Sequence, residues 1–156
     1  KLMKQDIELA GTLTDAGHEL RQRVYYEDTD FSGVVYHARY LHFLERGRTD
    51  LIRHLGVSQS EIHGSGDPAD AVAFVVRRME IDFRSPARMD DILTIRTRSD
   101  EVKGARMTLV QSIECEGRTL IEAKVLVAVI NGHGRARRLP DALLDKFLRA
   151  AGQDKD

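Results

Sequence analysis

Three carboxylates crowd one short stretch of the chain. Glu27, Asp28 and Asp30 lie in Tyr25-Tyr26-Glu27-Asp28-Thr29-Asp30-Phe31-Ser32-Gly33-Val34-Val35. A carboxylate can deprotonate a water or attack a carbonyl carbon itself. Directly downstream, Tyr40, Leu41, Leu44, Leu51, Ile52 and Leu55 recur at helical spacing, which predicts one amphipathic helix over about residues 36–55. The start of a helix carries unpaired N–H groups and a partial positive charge. An acid beside pre-aimed N–H donors is a set suited to acyl transfer. The spacing allows a second reading equally well, in which Asp28 and Asp30 only cap a turn or the helix.

Such a helix has to be held against something. Gly47 lies on its apolar stripe, where glycine costs about 1 kcal/mol against alanine. That residue makes sense if another backbone presses close, so a sheet is expected there. His54 suits the negative end of the helix dipole and Gly56 supplies the stop. Before the helix, Asp6–Thr12 reads as a short edge strand and His18–Tyr26 as a strand running into the acidic loop. After it, Ser58–Ile62 reads as one further turn and His63–Pro68 as a loop.

Four strands follow: Ala71–Arg84, Asp91–Val102, Ala105–Cys115 and Leu120–Ile130, read as an antiparallel meander with reverse turns at Lys103-Gly104 and Glu116-Gly117-Arg118. In the first, Ala73, Val75, Met79, Ile81 and Phe83 are assigned to one face. Its first half is apolar on the other face too, through Val72, Phe74 and Val76, which points to a strand lying under a helix or at a subunit interface. A homodimer joined through this strand is therefore expected. In the last, Ile121, Ala123, Val125, Val127 and Val129 share a face. Pro140, as a first helical position, opens a short C-terminal helix through Leu143, Leu144, Phe147 and Leu148. The class is α+β, an antiparallel sheet around one central helix.

The pattern Tyr25-Tyr26-Glu27-Asp28-Thr29-Asp30-x-x-Gly33-x-Val35-Tyr36-His37-x-x-Tyr40, followed by Phe43-Leu44-Glu45-Arg46-x-Arg48, resembles the hot-dog-fold acyl-CoA thioesterases. It is most similar to the branch encoded with the bacterial Tol–Pal envelope system and, more distantly, to 4-hydroxybenzoyl-CoA thioesterase. The resemblance covers roughly Arg21 to Asn131. It implies a hot-dog fold and hydrolysis of acyl-CoA to free acid and CoA. It places the catalytic acid at Asp30, as nucleophile or general base, and the carbonyl-polarising donor at the backbone N–H of His37. It implies substrate contacts at Gly33, Val35 and Tyr36, a loop-shaping role for Asp28, and a dimer or a tetramer of two dimers. Coenzyme A is then part of the substrate and no separate cofactor is expected. Its phosphates suit arginine forks, and Arg137 and Arg138 are candidates for holding them, with a solvated surface as the commoner fate of any one arginine.

Other chemistry is weaker. A related hot-dog branch carries its carboxylate on the helix, but Glu45 in Glu45-Arg46-x-Arg48 is read first as an ion-paired structural residue. His42 with Glu45 lacks a third and fourth ligand for zinc, so no metal is expected. Cys115 shares an apolar strand face with Leu109 and Ile113 and is read as core. No Gly-x-Ser-x-Gly elbow or phosphate-cradling Gly-rich loop is present in the sequence. With 156 residues, 42% of them hydrophobic, the chain is expected to form one domain over 1–156, with 1–18 an N-terminal extension and 140–151 the C-terminal helix.

A net charge of −1 argues against a dedicated nucleic-acid binder. No apolar run reaches membrane-spanning length, the first residues lack a signal-peptide core, and the one Cys suits a reducing cytoplasm. A hot-dog hydratase, using His37 as base, and a non-catalytic acyl-carrier or envelope-assembly partner are the alternatives to a thioesterase.

Overall fold

The alternation of apolar and polar side chains builds the sheet. Along β6 (Arg118–Ile130), Ile121, Ala123, Val125, Val127 and Val129 are all buried, as the period of two requires. Along β5 (Arg106–Cys115) the buried row is Met107, Leu109, Gln111, Ile113 and Cys115, and along β4 (Ile92–Lys103) it is Leu93, Ile95, Thr97 and Ser99. The turn between β5 and β6 needs only Glu116 and Gly117, both at positive φ (50° and 78°). This is the primed geometry whose twist matches the strands it joins.

The structure is a computed structural model and describes residues 10–56 and 66–150. The remaining elements are β1 (Thr12–Thr14), β2 (Gly17–Arg23), β3 (Ala73–Phe83), α1 (Arg39–His54) and α2 (Asp141–Ala150). The strands form one six-stranded antiparallel sheet in the order β1-β2-β4-β5-β6-β3. With α1 laid across it, this is the hot-dog arrangement. The expected strand over Asp6–Thr12 falls partly, and the turn over Ser58–Ile62 wholly, outside the described residues. In the described part the first strand is Thr12–Thr14.

Two expectations about the strands need correction. The four later strands do not form a simple meander. β4, β5 and β6 do, but β3 pairs with β6 at the far edge instead of with β4. The connection between β3 and β4 is a long passage, not a tight turn. It ties down at both ends: Arg84 N–H donates to Leu120 O (2.8 Å) and Asp90 N–H donates to Val24 O (2.9 Å). The facing of β3 also changes partway. Val76 pairs with Val127 and Arg78 with Leu126, leaving Arg77 as an inserted residue. That bulge reverses the alternation. Phe74 and Val76, not Ala73 and Val75, share the inward face with Met79, Ile81 and Phe83, because their cross-strand partners Val129, Val127, Val125, Ala123 and Ile121 are the buried row.

Gly47 behaves as its position on the stripe requires. It is buried, and a Cβ there would lie 2.7 Å from Ile95 Cγ2 and 2.9 Å from Thr97 Oγ1. The sheet is that close. Beside it, Gln111 fastens helix to sheet. Its Nε2 donates to Leu44 O (2.9 Å) and Thr97 Oγ1 (2.8 Å), and its Oε1 accepts from Arg48 (3.0 Å). The core divides around this point. Val24, Val35, Tyr40, Phe43, Ala87, Leu93 and Ile121 fill the end nearer the acidic loop. Leu51, Val125, Val127, Leu143 and Phe147 fill the other, where α2 closes over the sheet and Phe147 meets Phe74 edge-on at 5.9 Å. Fully burying a side chain such as Phe43 or Phe147 contributes about 2–3 kcal/mol. Pro140 sits just before α2, not in it, and its carbonyl accepts from Leu143 and Leu144. No helix among the described residues is long and apolar enough to cross a membrane.

Candidate active site

The acidic stretch leaves β2 and makes a short 3-10 turn over Tyr26–Asp28. Asp28 is the buried acid of the group, 4% exposed. Its Oδ2 accepts from Tyr25 N–H (2.8 Å) and its Oδ1 from Arg39 Nε (2.6 Å), while its carbonyl accepts from Tyr36 N–H (3.0 Å). One residue thus ties the start of the loop, its end and the first residue of α1 together. A buried charge is tolerated only with such pairing.

Neither Asp28 nor Asp30 caps the helix; each caps a turn of the loop instead, Asp28 the 3-10 turn through Tyr25 N–H and Asp30 the following turn through Ser32 N–H. The N-cap is Ala38, without a side-chain bond, and the helix starts at Arg39, three residues later than expected. Tyr36, His37 and Ala38 form the approach to it. The side chain at Asp28 secures that approach through Arg39 instead of through the first-turn N–H groups.

Asp30 is held differently. Ser32 donates twice to its Oδ1, from the backbone N–H (2.8 Å) and from the hydroxyl (2.6 Å). No partner among the described residues reaches Oδ2. The Ser32 hydroxyl first, then its N–H, hold the Asp30 carboxyl below its ordinary value. The acid is therefore ionised through neutral and mildly acid pH. Its backbone closes a tight loop: Asp30 N–H donates to Val34 O (2.8 Å) and Gly33 N–H to Asp30 O (3.0 Å). Gly33 is at φ +82°, in the left-handed region that favours glycine.

Val35 is buried, and its N–H donates to Ala87 O (2.8 Å). Ala87 N–H in turn donates to the buried Tyr40 hydroxyl (2.9 Å). The β3–β4 passage therefore clamps the acid loop onto the first turn of α1. Burial pushes the Tyr40 phenol up, which keeps it a neutral partner.

His37 is exposed on the approach to the helix. Its ring lies 4.5 Å from Tyr36 and edge-on to Phe83 at 6.5 Å, centroid to centroid. Its backbone N–H has no partner among the described residues. Asp30, Gly33, Val35, Tyr36 and His37 thus fall within one loop and the helix entry. Around them Phe31, Tyr36 and Phe83 are exposed, Phe31 completely. The structure does not bring Arg137 and Arg138 to this place. Arg137 donates to the carbonyls of Asp70 and Ala71, beyond the Ala73 end of β3. His37 lies at the Phe83 end, about 30 Å away along the strand. Arg88 is nearer, through a bridge to Val34.

Glu45 is exposed and forms no ion pair within 4 Å among the described residues, contrary to expectation. Arg46 turns to Gln22 Oε1 (2.8 Å) and Arg48 to Gln111, because the helix face that carries them meets β2 and β5. Cys115 is core, and burial pushes its thiol up. The sequence reading missed Ser32, for which Asp30-x-Ser32 was an available turn signal. It also missed Ala87, for which there was none.

An antiparallel sheet wrapped on one helix, with an acid loop at the helix entry, defines the hot-dog class of acyl-thioester proteins. The thioesterase-like superfamily matches residues 24–147, and the chain belongs to that family. It is 42% identical over 127 residues to the acyl-CoA thioester hydrolase YbgC of Escherichia coli O6:H1, covering 80% of this chain and 91% of that one. It is also 42% identical over 119 residues to the acyl-CoA thioesterase YbgC of Haemophilus influenzae, covering 76% and 85%. Among solved structures, the probable thioesterase from Bartonella henselae superposes with a TM-score of 0.74 at 49% identity, over 80% of this chain and all of that one.

Proposed function

We propose that this protein hydrolyses acyl-CoA thioesters to free acid and CoA, with Asp30 supplying the chemistry. The observation that carries the reading is the Asp30 carboxylate itself, held ionised by Ser32 and with no partner at Oδ2 among the described residues, in the loop that leads to the unengaged N–H of His37. Two routes use this geometry. Oδ2 takes a proton from water as the hydroxyl oxygen adds to the thioester carbon, or Oδ2 adds to that carbon and water later cleaves the anhydride. In both, negative charge builds on the carbonyl oxygen, where the His37 N–H stabilises it. The C–S bond then breaks and the thiolate leaves, taking a proton from solvent.

An acid fully open to water is a poor place for either route. A second copy would cover it. β3 is an edge strand, with Val75 39% and Val76 42% exposed, and Phe83, Tyr36 and Phe31 continue the apolar surface to the site. Two copies paired antiparallel through β3 would bury this strip. They would also bring the second copy's Arg137 and Arg138 from the Ala73 end of its strand toward this chain's Phe83 end, where CoA phosphates could be met. The reading places the protein in the cytoplasm, where acyl-CoA is found, and leaves a role beside the Tol–Pal system as the branch's expectation.

Purified protein tested on a panel of acyl-CoAs with a thiol-detecting reagent should release free thiol. Loss of enoyl absorbance without thiol release would establish a hydratase instead. Saturable acyl-CoA binding without turnover would establish a carrier or assembly partner.

A further inference from the structure

At the other end of α1, about 20 Å along the axis from its entry, three side chains with metal-binding atoms converge. Asp50 and His54 lie one turn apart at the end of α1, and His18 reaches them from β2. His18 Nε2 is 2.7 Å from Asp50 Oδ2, and His54 Nε2 is 3.3 Å from the same oxygen. All three atoms lie within 4.8 Å of one another. His18 is 1% exposed and Asp50 8%. The backbone of Gly11 lies directly on the pair: a Cβ there would be 2.2 Å from Asp50 Oδ2 and 2.5 Å from His18 Nε2.

The polar bookkeeping of this cluster is incomplete. Among the described residues three buried side-chain atoms lack a hydrogen-bond partner, and two of them, His18 Nδ1 and His54 Nε2, belong here. His54 Nε2 is within ion-pair reach of Asp50 but out of hydrogen-bonding alignment. His54 Nε2 is the one that bears on a ligand, a buried nitrogen 3.3 Å from the Asp50 carboxylate with no hydrogen bond to satisfy it, whereas His18 Nδ1 lies on the other side of its ring from Asp50. The spacing fits another use. Zinc with bonds of about 2.0–2.1 Å in tetrahedral geometry sets its ligand atoms about 3.3 Å apart. Asp50 Oδ2 and His54 Nε2 already stand at 3.3 Å. The His18–Asp50 pair has to open by about half an ångström, and the two imidazole nitrogens, which lie within 4.8 Å of each other, have to settle at the same spacing.

We propose that His18, Asp50 and His54 form a three-ligand site for a divalent cation of the zinc class, through His18 Nε2, Asp50 Oδ2 and His54 Nε2, with water completing the coordination. Two imidazoles and one carboxylate suit zinc, cobalt or nickel, whereas calcium and magnesium take oxygen ligands. The site joins β2 to the last turn of α1 and is remote from Asp30. Its role is to fasten the closed end of the helix against the sheet, not to act on substrate.

The test is to dialyse the full chain against zinc or cobalt, then against metal-free buffer, and measure bound metal. The proposal expects about one ion per chain, a visible cobalt absorption band, and a Tm about 5 °C higher at zinc a hundredfold above Kd. His54→Gln, at the more exposed ligand, should lose the retained metal and leave thioester turnover within about twofold. His18→Gln should lose the metal likewise. The wild-type titration needs no variant, so misfolding of His18→Gln leaves the test intact. Folded wild-type protein retaining less than about 0.1 ion per chain at neutral pH would overturn the proposal. So would wild-type stoichiometry in both variants, since the ion would then sit elsewhere.

Discussion

Two aspartates two positions apart in one loop do different work, and their surroundings decide which. Asp28 is buried and spent on Tyr25, Tyr36 and Arg39. Asp28→Asn should lower stability by about 1–3 kcal/mol, since the buried carboxylate loses its ion pair with the partly solvated Arg39 and its charged acceptor for Tyr25 N–H, while the backbone bond from Tyr36 stays. A urea melt reads this directly, and a variant as stable as wild type would contradict it. Asp30 is exposed and tuned by Ser32 alone. A lowered carboxyl pKa means the base is intact as pH falls until the pH drops below the ordinary Asp range. The acid limb of kcat/KM should therefore lie below 3.8, the ordinary value. Ser32→Ala removes the leading cause of the shift, so the limb should move to higher pH. An unmoved limb would mean that Asp30 is not the titrating group. The motif singled out Asp30 in the sequence, and the structure shows its surroundings. The orienting contacts from Ser32 and the Ala87–Tyr40 clamp were not legible there, because the second of these joins residues 47 positions apart.

At the scale of the elements, α1 and the β6 row were legible because their periods run unbroken. Gly47 was legible for a physical reason, since a glycine on an apolar stripe has a cost that only close packing offsets. Gly47→Ala sets two effects against each other. Alanine favours the helix by about 1 kcal/mol. Its methyl would stand 2.7 Å from Ile95 Cγ2 and 2.9 Å from Thr97 Oγ1, on strand β4. Overpacking costs about 1–3 kcal/mol. The clash should win, with a net loss of stability in thermal melts, and a stabilised variant would show that the helix can ride outward freely. The facing of β3 was misread because the inserted Arg77 leaves no mark on the sequence: an arginine pair at a bulge looks like one at a regular turn of the alternation. Its place beside β6 was equally hidden. Sequence order states which strands are joined, not which are neighbours, and the long passage from Arg84 to Asp90 permits the crossing. The His18–Asp50–His54 cluster was not read from the sequence, where only the i,i+4 spacing of Asp50 and His54 could have signalled it. His18, 32 positions from Asp50, carried no spacing signal.

For the whole molecule, the proposed second copy would cover both the exposed edge at β3 and the exposed acid. Light scattering should give at least twice the chain mass of 17.6 kDa at micromolar protein. Val76→Lys, which puts a charge into the inward face of the edge strand, should shift the protein toward monomer and lower turnover with it. Monomeric wild type with full activity would remove the second copy from the account. Salt should also raise KM if the second copy's arginines hold the CoA phosphates, because screening tightens from about 10 Å at 0.1 M to about 3 Å at 1 M. The central claim is narrower than any of these: that the Asp30 carboxylate performs the hydrolysis. Asp30→Asn keeps the size and most of the hydrogen bonds of the side chain and removes its charge. The most direct measurement is single-turnover release of thiol from the best acyl-CoA by wild type and Asp30→Asn, with melting curves alongside to show both folded. The account predicts a rate lower by at least about 100-fold with substrate affinity little changed. A folded Asp30→Asn that keeps most of its rate, above all beside an inactive Glu45→Gln, would place the chemistry on the helix and contradict it.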